Sequence, residues 1–506
     1  MGTFYVENFG CRATQADGAV MARQFRERGL EQAAGFANAQ IVVVNTCTVT
    51  QSADREARAT IRRIHRQNPE CRIIVTGCYA QRAPEELAAL PGVAQVIGNS
   101  HKHQLVDIAL PLANTVEAPT PAPESGNFVP LDRLGAGTKA RISDEGRPTY
   151  EAGEIFVSDI FAHTELLAAP VLAAGPERTR PILKVQDGCD NRCSFCVIPY
   201  VRGSSRSLPL GRILEEVNRL IAAGYREVVI SGINLGRWGR DLSRFEFATR
   251  TGQVGRHGTR ERSPRLEDLV RSILAHTSLE RLRISSVEPM DWTDELIQLV
   301  AQSPRIAKHA HVPMQSGSDR ILRKMHRKYR PWHYGEKIRA LRAAMPAAAI
   351  GADVMVGFPG ETEQDFGETH RMVEELPFTY LHVFPYSPRP GTRAAAMGDE
   401  VSVEVAQERS RSLRQLGGKK KLAFMRSLIG TCLEAITLDW SGSQARSESE
   451  GDRVRTDDRI FTEALTDNYL KLRLKGKHEP NRWFEAEIED VQDGNLIGVA
   501  RSSPSL

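Results

Sequence analysis

Three observations set the predicted fold class as α/β with a small all-β end. Strand-like and helix-like segments alternate over the first hundred residues, as a doubly wound parallel sheet requires. The alternation resumes from 179 to about 408 with six short apolar strands, the pattern of an open or partial βα barrel. From 424 to 500 strands follow one another with no helix of useful length, which predicts a small antiparallel β-barrel. A chain of 506 residues has room for about three domains. The expected division is 1–111, 179–408 and 424–500, with 112–178 as linker and edge segment.

In the first segment residues 3–9 read as a strand and 15–28 as a helix stopped by Gly29. Residues 41–45 are a buried-type β-branched run, 52–67 a helix, 73–76 a strand, and a last strand ends at Val96 and Ile97. Between 112 and 178 the stretches APTPAPES and LGAGT lack an apolar period and read as linker. Ordered pieces near 154–160 are expected to join the edge of the next domain. There the strands fall at 181–185, 227–230, 281–284, 310–313, 352–356 and 380–384. Residues 243–264 lack a core pattern and read as an inserted loop. The terminal strands are expected at 431–438, 461–464, 469–474 and 484–488.

Composition narrows the class. Charged residues at 26% and ordinary glycine and proline contents exclude a collagen, a coiled-coil rod and a wholly disordered chain. A net charge of +4 gives no strong global field, so a nucleic-acid surface must be local. The start of the chain lacks the pattern of a secretory leader, and apolar runs such as Ile41 to Val44 are too short to span a bilayer. A soluble, cytoplasmic protein with no membrane partner is expected. Eight cysteines in this length suit a reducing compartment rather than a disulfide scaffold.

Three of those cysteines are clustered. Residues 188–203 read GCDNRCSFCVIPYVRG, placing Cys189, Cys193 and Cys196 on a loop just after a strand. Three thiolates so close can face one metal centre, and three suit a 4Fe–4S cubane whose fourth iron stays open. Zinc, or three incidental thiols, are the other readings of the spacing. The pattern, with Phe195 before the last cysteine, resembles the radical S-adenosylmethionine (SAM) superfamily. That resemblance implies that SAM chelates the open iron and is cleaved to methionine and a 5′-deoxyadenosyl radical. Further strand-end segments resemble SAM-contacting pieces: Gly232 and Asn234, Ser286 and Glu288, Gln315, and Gly357. Turns of any α/β fold are their other reading.

Cys11, Cys47 and Cys78 are far apart in sequence, yet each follows a predicted strand, in ENFGC, VVVNTC and IIVTGC. Parallel strands end on one sheet edge about 4.8 Å apart, so three cysteines there can converge into a second three-ligand cluster site. Three half-buried thiols acting as small hydrophobes is the other reading. Cys71 starts its strand, at the opposite edge, and Cys432 stands alone; both read as structural.

Two cysteine triads followed by a small barrel resemble the methylthiotransferases, with their N-terminal domain, radical-SAM core and TRAM-type RNA-binding barrel. The stretches NTCTVT, GCYAQ, VIPYVRGSSRS, HVFPYSPRPGT and LTDNYLKL are similar to the branch acting on N6-threonylcarbamoyladenosine beside the tRNA anticodon. The resemblance implies replacement of the adenine C2 hydrogen by a methylthio group. It also implies two 4Fe–4S clusters, with SAM as radical source and methyl donor, and the N-terminal cluster holding or supplying sulfur. Implied partners are the tRNA anticodon stem-loop, an electron donor such as a flavodoxin or ferredoxin, and a sulfur source. Other readings are a methylthiotransferase for isopentenyladenosine tRNA or for a ribosomal-protein aspartate, and a non-catalytic iron–sulfur RNA-binding sensor. Two basic stretches could carry phosphate contacts: the acid-free run from Arg409 to Arg426, and the loop region with Arg237, Arg240, Arg244, Arg250, Arg256, Arg260, Arg262 and Arg265. A solvated charged face is the alternative for each.

Overall fold

A computed structural model describes residues 2–110, 140–142, 148–150, 152–163, 180–242, 263–438 and 461–501. The inserted loop, apart from its last two residues, lies outside the described residues, as does most of 112–178. The chain forms two compact units. One comprises Met1–Leu167 together with Val197–Ser204, the other Ala168–Cys196 together with Ser205–Leu506.

The first unit is built on a six-stranded sheet whose pairings are all parallel. Its order is Glu31–Gln32, Thr3–Asn8, Ile41–Thr46, Arg72–Gly77, Val93–Gly98, Glu154–Phe156. Every residue of Ile41–Thr46 is buried, because helices cover both faces of this central strand. Helix Gln51–Gln67 starts where the Thr50 hydroxyl accepts the Ala53 N–H at 3.2 Å. One expectation is corrected: Glu154–Phe156 does not join the next domain but pairs with Gln95, Val96 and Ile97 of the first sheet. Gly153 permits this, since a Cβ there would lie 2.6 Å from the Val93 carbonyl oxygen.

In the second unit the expected βα strands form one arc. Ile182–Asp187, Glu227–Gly232 and Arg281–Ile284 pair in parallel, as do His309–His311, Ala349–Val356 and Tyr380–Pro385. Parallel bridges from Leu282 to Ile306 and from Ser286 to His311 join the two halves. Arg206–Ser207 adds a short antiparallel edge, so the arc is a four-stranded and a three-stranded sheet.

The basic run is helical. It lies within a 24-residue helix, Val403–Arg426, packed along strand Tyr380–Pro385 despite an interior Gly417-Gly418 pair. Gly417 belongs there because its missing side chain leaves room for Leu381, 3.3 Å from where a Cβ would stand. Arg409 is buried against Glu361 (2.8 Å) and Glu363 (3.1 Å), and Arg414 donates to the Val383 carbonyl. These two arginines are committed to the fold.

The terminal barrel is closed and five-stranded, in the order Cys432–Thr437, Phe461–Thr466, Lys471–Lys475, Asn495–Arg501, Trp483–Gln492. It is antiparallel except where Lys471–Lys475 runs parallel to Asn495–Arg501 to close it. The loop between its second and third strands docks on the arc. Arg283, held by Glu227 at 2.6 Å, donates to the Asp467 carbonyl at 2.9 Å and lies 5.3 Å from the Tyr469 ring centre. No helix among the described residues is long and apolar enough to cross a membrane.

Candidate active site

In the first sheet the register aligns Asn8 with Asn45 and Asn45 with Thr76. Cys11, Cys47 and Cys78 follow these residues by three, two and two positions, so all three emerge from one edge, on adjacent strands. Glycine precedes two of them for a physical reason. Gly10 has φ of +88°, and a Cβ there would sit 2.7 Å from the Cys47 sulfur. Gly77 has φ of +101°, and a Cβ would sit 2.3 Å from the Thr46 carbonyl oxygen. Both turns need a backbone conformation that other residues rarely adopt. Cys11 is exposed while Cys47 and Cys78 are buried. Burial pushes the Cys47 thiol up to about 12, and the neighbouring Cys78 and Cys11 thiols add to the shift.

A buried polar network surrounds Cys78. Its sulfur accepts from Arg202 Nε at 3.2 Å and from Asn99 Nδ2 at 3.6 Å. Arg202 also binds Asp17 at 3.1 Å, and Asp17 in turn receives Lys102 at 3.0 Å. All three charged side chains are buried. Charge in such a site is tolerated only when paired, and here two cations and a carboxylate sit beside the thiols. Arg202 belongs to the short helix Ile198–Arg202, which begins two residues after Cys196 and packs in the first unit.

In the second unit Cys189, Cys193 and Cys196 lie on the loop after strand Ile182–Asp187, each half-buried. The Asn234 amide donates to Cys189 at 3.5 Å, and Arg327 donates to Cys193 at 3.4 Å. Burial raises the Cys189 thiol, against donation from the Asn191 backbone and the Asn234 amide. Glu288 grips Arg327, whose neighbour Tyr329 is anchored to the carbonyls of Pro313 and Met314. Phe195 packs with Ile321, Met355 and Phe358.

The other strand-end residues are distributed along the same rim. Gln315 has φ of +62°, and its backbone pairs with Asp353 and Met355 at 2.8 Å. Ser286 bridges to His311 through the backbone. Gly357, at φ of +73°, donates its N–H to Glu361 at 2.6 Å. A Cβ at Gly232 would lie 2.8 Å from Gln186 Oε1, so its close neighbour is the protein's own side chain. Three buried atoms on these strand-end segments, Asn234 Oδ1, Ser285 Oγ and Gln315 Oε1, have no protein partner among the described residues. An open pocket of about 250 Å³ beside the loop is lined by residues including Asp190, Asn234 and Lys328. Arg237 and Arg240 on its wall are both bound to Asp291, at 3.1 and 3.2 Å.

Comparison with known proteins identifies the parts. Residues 3–98 match the Uncharacterized protein family UPF0004, and residues 183–373 match the Radical SAM superfamily. A relative from Bacillus subtilis, named threonylcarbamoyladenosine tRNA methylthiotransferase MtaB, is 33% identical over 95% of this chain and 92% of its own. The chain belongs to the radical-SAM methylthiotransferases of the MtaB type. A Nocardia farcinica relative, named tRNA-2-methylthio-N(6)-dimethylallyladenosine synthase, is 32% identical over 97% of this chain and 87% of its own. Among solved structures, the radical SAM methyltransferase TsrM from Kitasatospora setae matches 81% of this chain and 78% of its own with a TM-score of 0.50. At 15% identity that likeness shows the fold alone.

Methylthiotransferases of this type use SAM and two 4Fe–4S clusters. The donor chemistry here fits: six thiols in two triads, with side-chain N–H donors on Cys78, Cys189 and Cys193, and unpartnered buried oxygens on the strand-end segments. Hydrogen bonds to cluster sulfurs are a standard means of tuning them. Sequence reading missed Arg202, Asp17, Lys102 and Arg327. The arginine in VIPYVRG carried the only local signal, and its partner Cys78 lies 124 residues away.

Proposed function

We propose that this protein replaces the C2 hydrogen of the adenine in N6-threonylcarbamoyladenosine, beside the tRNA anticodon, with a methylthio group. The reading is carried by the relatives bearing that activity in their names, 31–33% identical across 85–97% of this chain. The two cysteine triads agree with it. Cys189, Cys193 and Cys196 would hold one cluster with an open iron for SAM, and Cys11, Cys47 and Cys78 the second. When bound, the clusters and SAM supply the one-electron chemistry that removes an unactivated aromatic hydrogen, which no acid–base pair can do. The chain's own residues bind and orient. Asn234, Ser285 and Gln315 offer unpartnered oxygens to SAM's polar groups. Arg327 and Asn234 steady the thiolates by donation.

The Nocardia relative supports a second substrate, the dimethylallyl-modified adenosine, at similar identity. Mass spectrometry of tRNA nucleosides from a deletion strain separates the two. Loss of the 2-methylthio derivative of threonylcarbamoyladenosine alone is expected. Loss of the dimethylallyl derivative instead would assign the second substrate.

Arg202 gives a further expected outcome. Its buried cation favours the more negative, reduced state of a cluster on Cys78, so Arg202→Gln should lower the reduction potential of the N-terminal cluster. A charge-assisted hydrogen bond contributes about 1.5–3 kcal/mol, which for one electron is on the order of 60–130 mV. Electron paramagnetic resonance during a redox titration checks this, the other cluster serving as internal reference. An unshifted potential would separate Arg202 from the cluster.

A further inference from the structure

A second polar constellation, which includes none of the six cysteines, lies on strands His309–His311, Ala349–Val356 and Tyr380–Pro385. The register sets Asp353 opposite His382, and Gly351 opposite both His311 and Tyr380, so these side chains share one face. His311 Nε2 lies 3.1 Å from Asp353 Oδ1, and His382 Nδ1 lies 3.3 Å from the same oxygen. The three ligand atoms all fall within 4.8 Å of one another. Exposure rises across the set, from 10% at the His311 side chain through 26% at Asp353 to 63% at His382, which makes an open cup with a fixed floor.

The floor is held by Tyr380. Its ring lies across Gly351, where a Cβ would sit 2.0 Å from the ring carbon, and its hydroxyl meets His311 Nδ1 at 3.0 Å and His309 Nε2 at 2.7 Å. With Nδ1 engaged, His311 can present only Nε2 to Asp353. If Tyr380 donates to His309 and accepts from His311 Nδ1–H, the Nε2 lone pair points at a carboxylate oxygen, and a positive centre belongs between them. Hydrogen-bonded orientation of this kind is what fixes a metal-ligating histidine. Metal–ligand bonds of about 2.0–2.1 Å in a tetrahedron place neighbouring ligands roughly 3.3 Å apart, close to the two contacts to Asp353. His382, exposed at the strand edge, is free to swing the remaining distance.

We propose that His311, Asp353 and His382 form a binding site for one first-row divalent cation of the zinc or iron(II) class. Two imidazoles and a carboxylate leave coordination positions open for oxygen ligands. Met355 and Phe384, two residues further along the same strands and on the same face, pack in one cluster with Phe195 of the cysteine loop. Water or another oxygen ligand would complete the shell of such a cation.

The test uses the full chain with both clusters reconstituted anaerobically, equilibrated with zinc sulfate and then desalted. Inductively coupled plasma mass spectrometry is expected to find one zinc per chain in addition to the cluster iron. Its X-ray absorption should fit nitrogen and oxygen neighbours without sulfur, which excludes the cysteines. His382→Ala, at an exposed position that the fold does not need, should weaken zinc binding by roughly 100-fold or more while iron content stays constant. Tyr380→Phe, which touches no metal, should weaken it by about 10–100-fold. No zinc beyond the cluster iron, sulfur among its neighbours, or a His382→Ala protein that binds as tightly as the wild type would each overturn the site and leave a hydrogen-bonded trio.

Discussion

A protein in which Cys189, Cys193 and Cys196 are all alanine is expected to retain about four of the eight irons of two cubanes and to release no 5′-deoxyadenosine. The three positions sit on one loop after strand Ile182–Asp187, and two of them accept side-chain hydrogen bonds from Asn234 and Arg327. Without the thiolates, SAM has no iron to chelate and no electron to receive, so the loss should be complete rather than partial. Because the loop residues are only half-buried, the substitutions remove little packing, and the circular dichroism spectrum should be retained. Iron analysis and chromatography of the dithionite-reduced reaction check both outcomes. Cleavage of SAM at the wild-type rate by this variant would move the radical chemistry off this loop.

Much of this site was legible in the sequence because its spacing is local. C-x3-C-x2-C needs no fold to bring it together, and each N-terminal cysteine follows a short predicted strand whose end can be read directly. Gly10 and Gly77 were visible as the residues before two of those cysteines, although only the structure shows that Cys47 and Thr46 are what a side chain there would strike. Pairings distant in the chain were not legible. Arg202 and Asp17 are 185 residues apart and Arg327 and Cys193 are 134 apart, so a charge run and a lone aspartate gave no hint of a buried network.

Packing also decides what local signals leave open. The sequence alone assigns no secondary structure to the basic run, and packing settles it: Gly417 allows helix Val403–Arg426 to lie close on Leu381. Arg409 belongs to a run that could carry phosphate contacts or form a solvated face, and is instead an internal counter-charge for Glu361. The fifth barrel strand, Asn495–Arg501, went unseen although Asp493-Gly494, both at positive φ, make the tight turn that announces a hairpin. His311, Asp353 and His382 come from three different strands and became a group only once the register was known.

Replacing Cys11, Cys47 and Cys78 by alanine should give the opposite phenotype: SAM cleavage continues while methylthiolated product falls below detection. The reason is topological. These cysteines belong to the first unit, on the edge of a sheet separate from the strands of the second unit, so the loop proposed to generate the radical keeps its own donors. What is lost is the second cluster, which the proposed chemistry requires for sulfur and not for the radical. Cys47 and Cys78 are buried, and trimming them costs packing beside the Arg202 network. Cys11 is exposed, so Cys11→Ala alone tests the same point with the fold undisturbed. Either variant, assayed with anticodon stem-loop RNA, should form 5′-deoxyadenosine at a rate within about twofold of the wild type, well inside the effect of one lost hydrogen bond. Product at normal yield from the Cys11→Ala protein would remove the N-terminal triad from sulfur insertion. Loss of 5′-deoxyadenosine together with product would instead mean that the first unit also governs radical formation. Arg202 offers the natural route for such coupling, because Ile198–Arg202 follows Cys196 without a break in the chain and ends on Cys78.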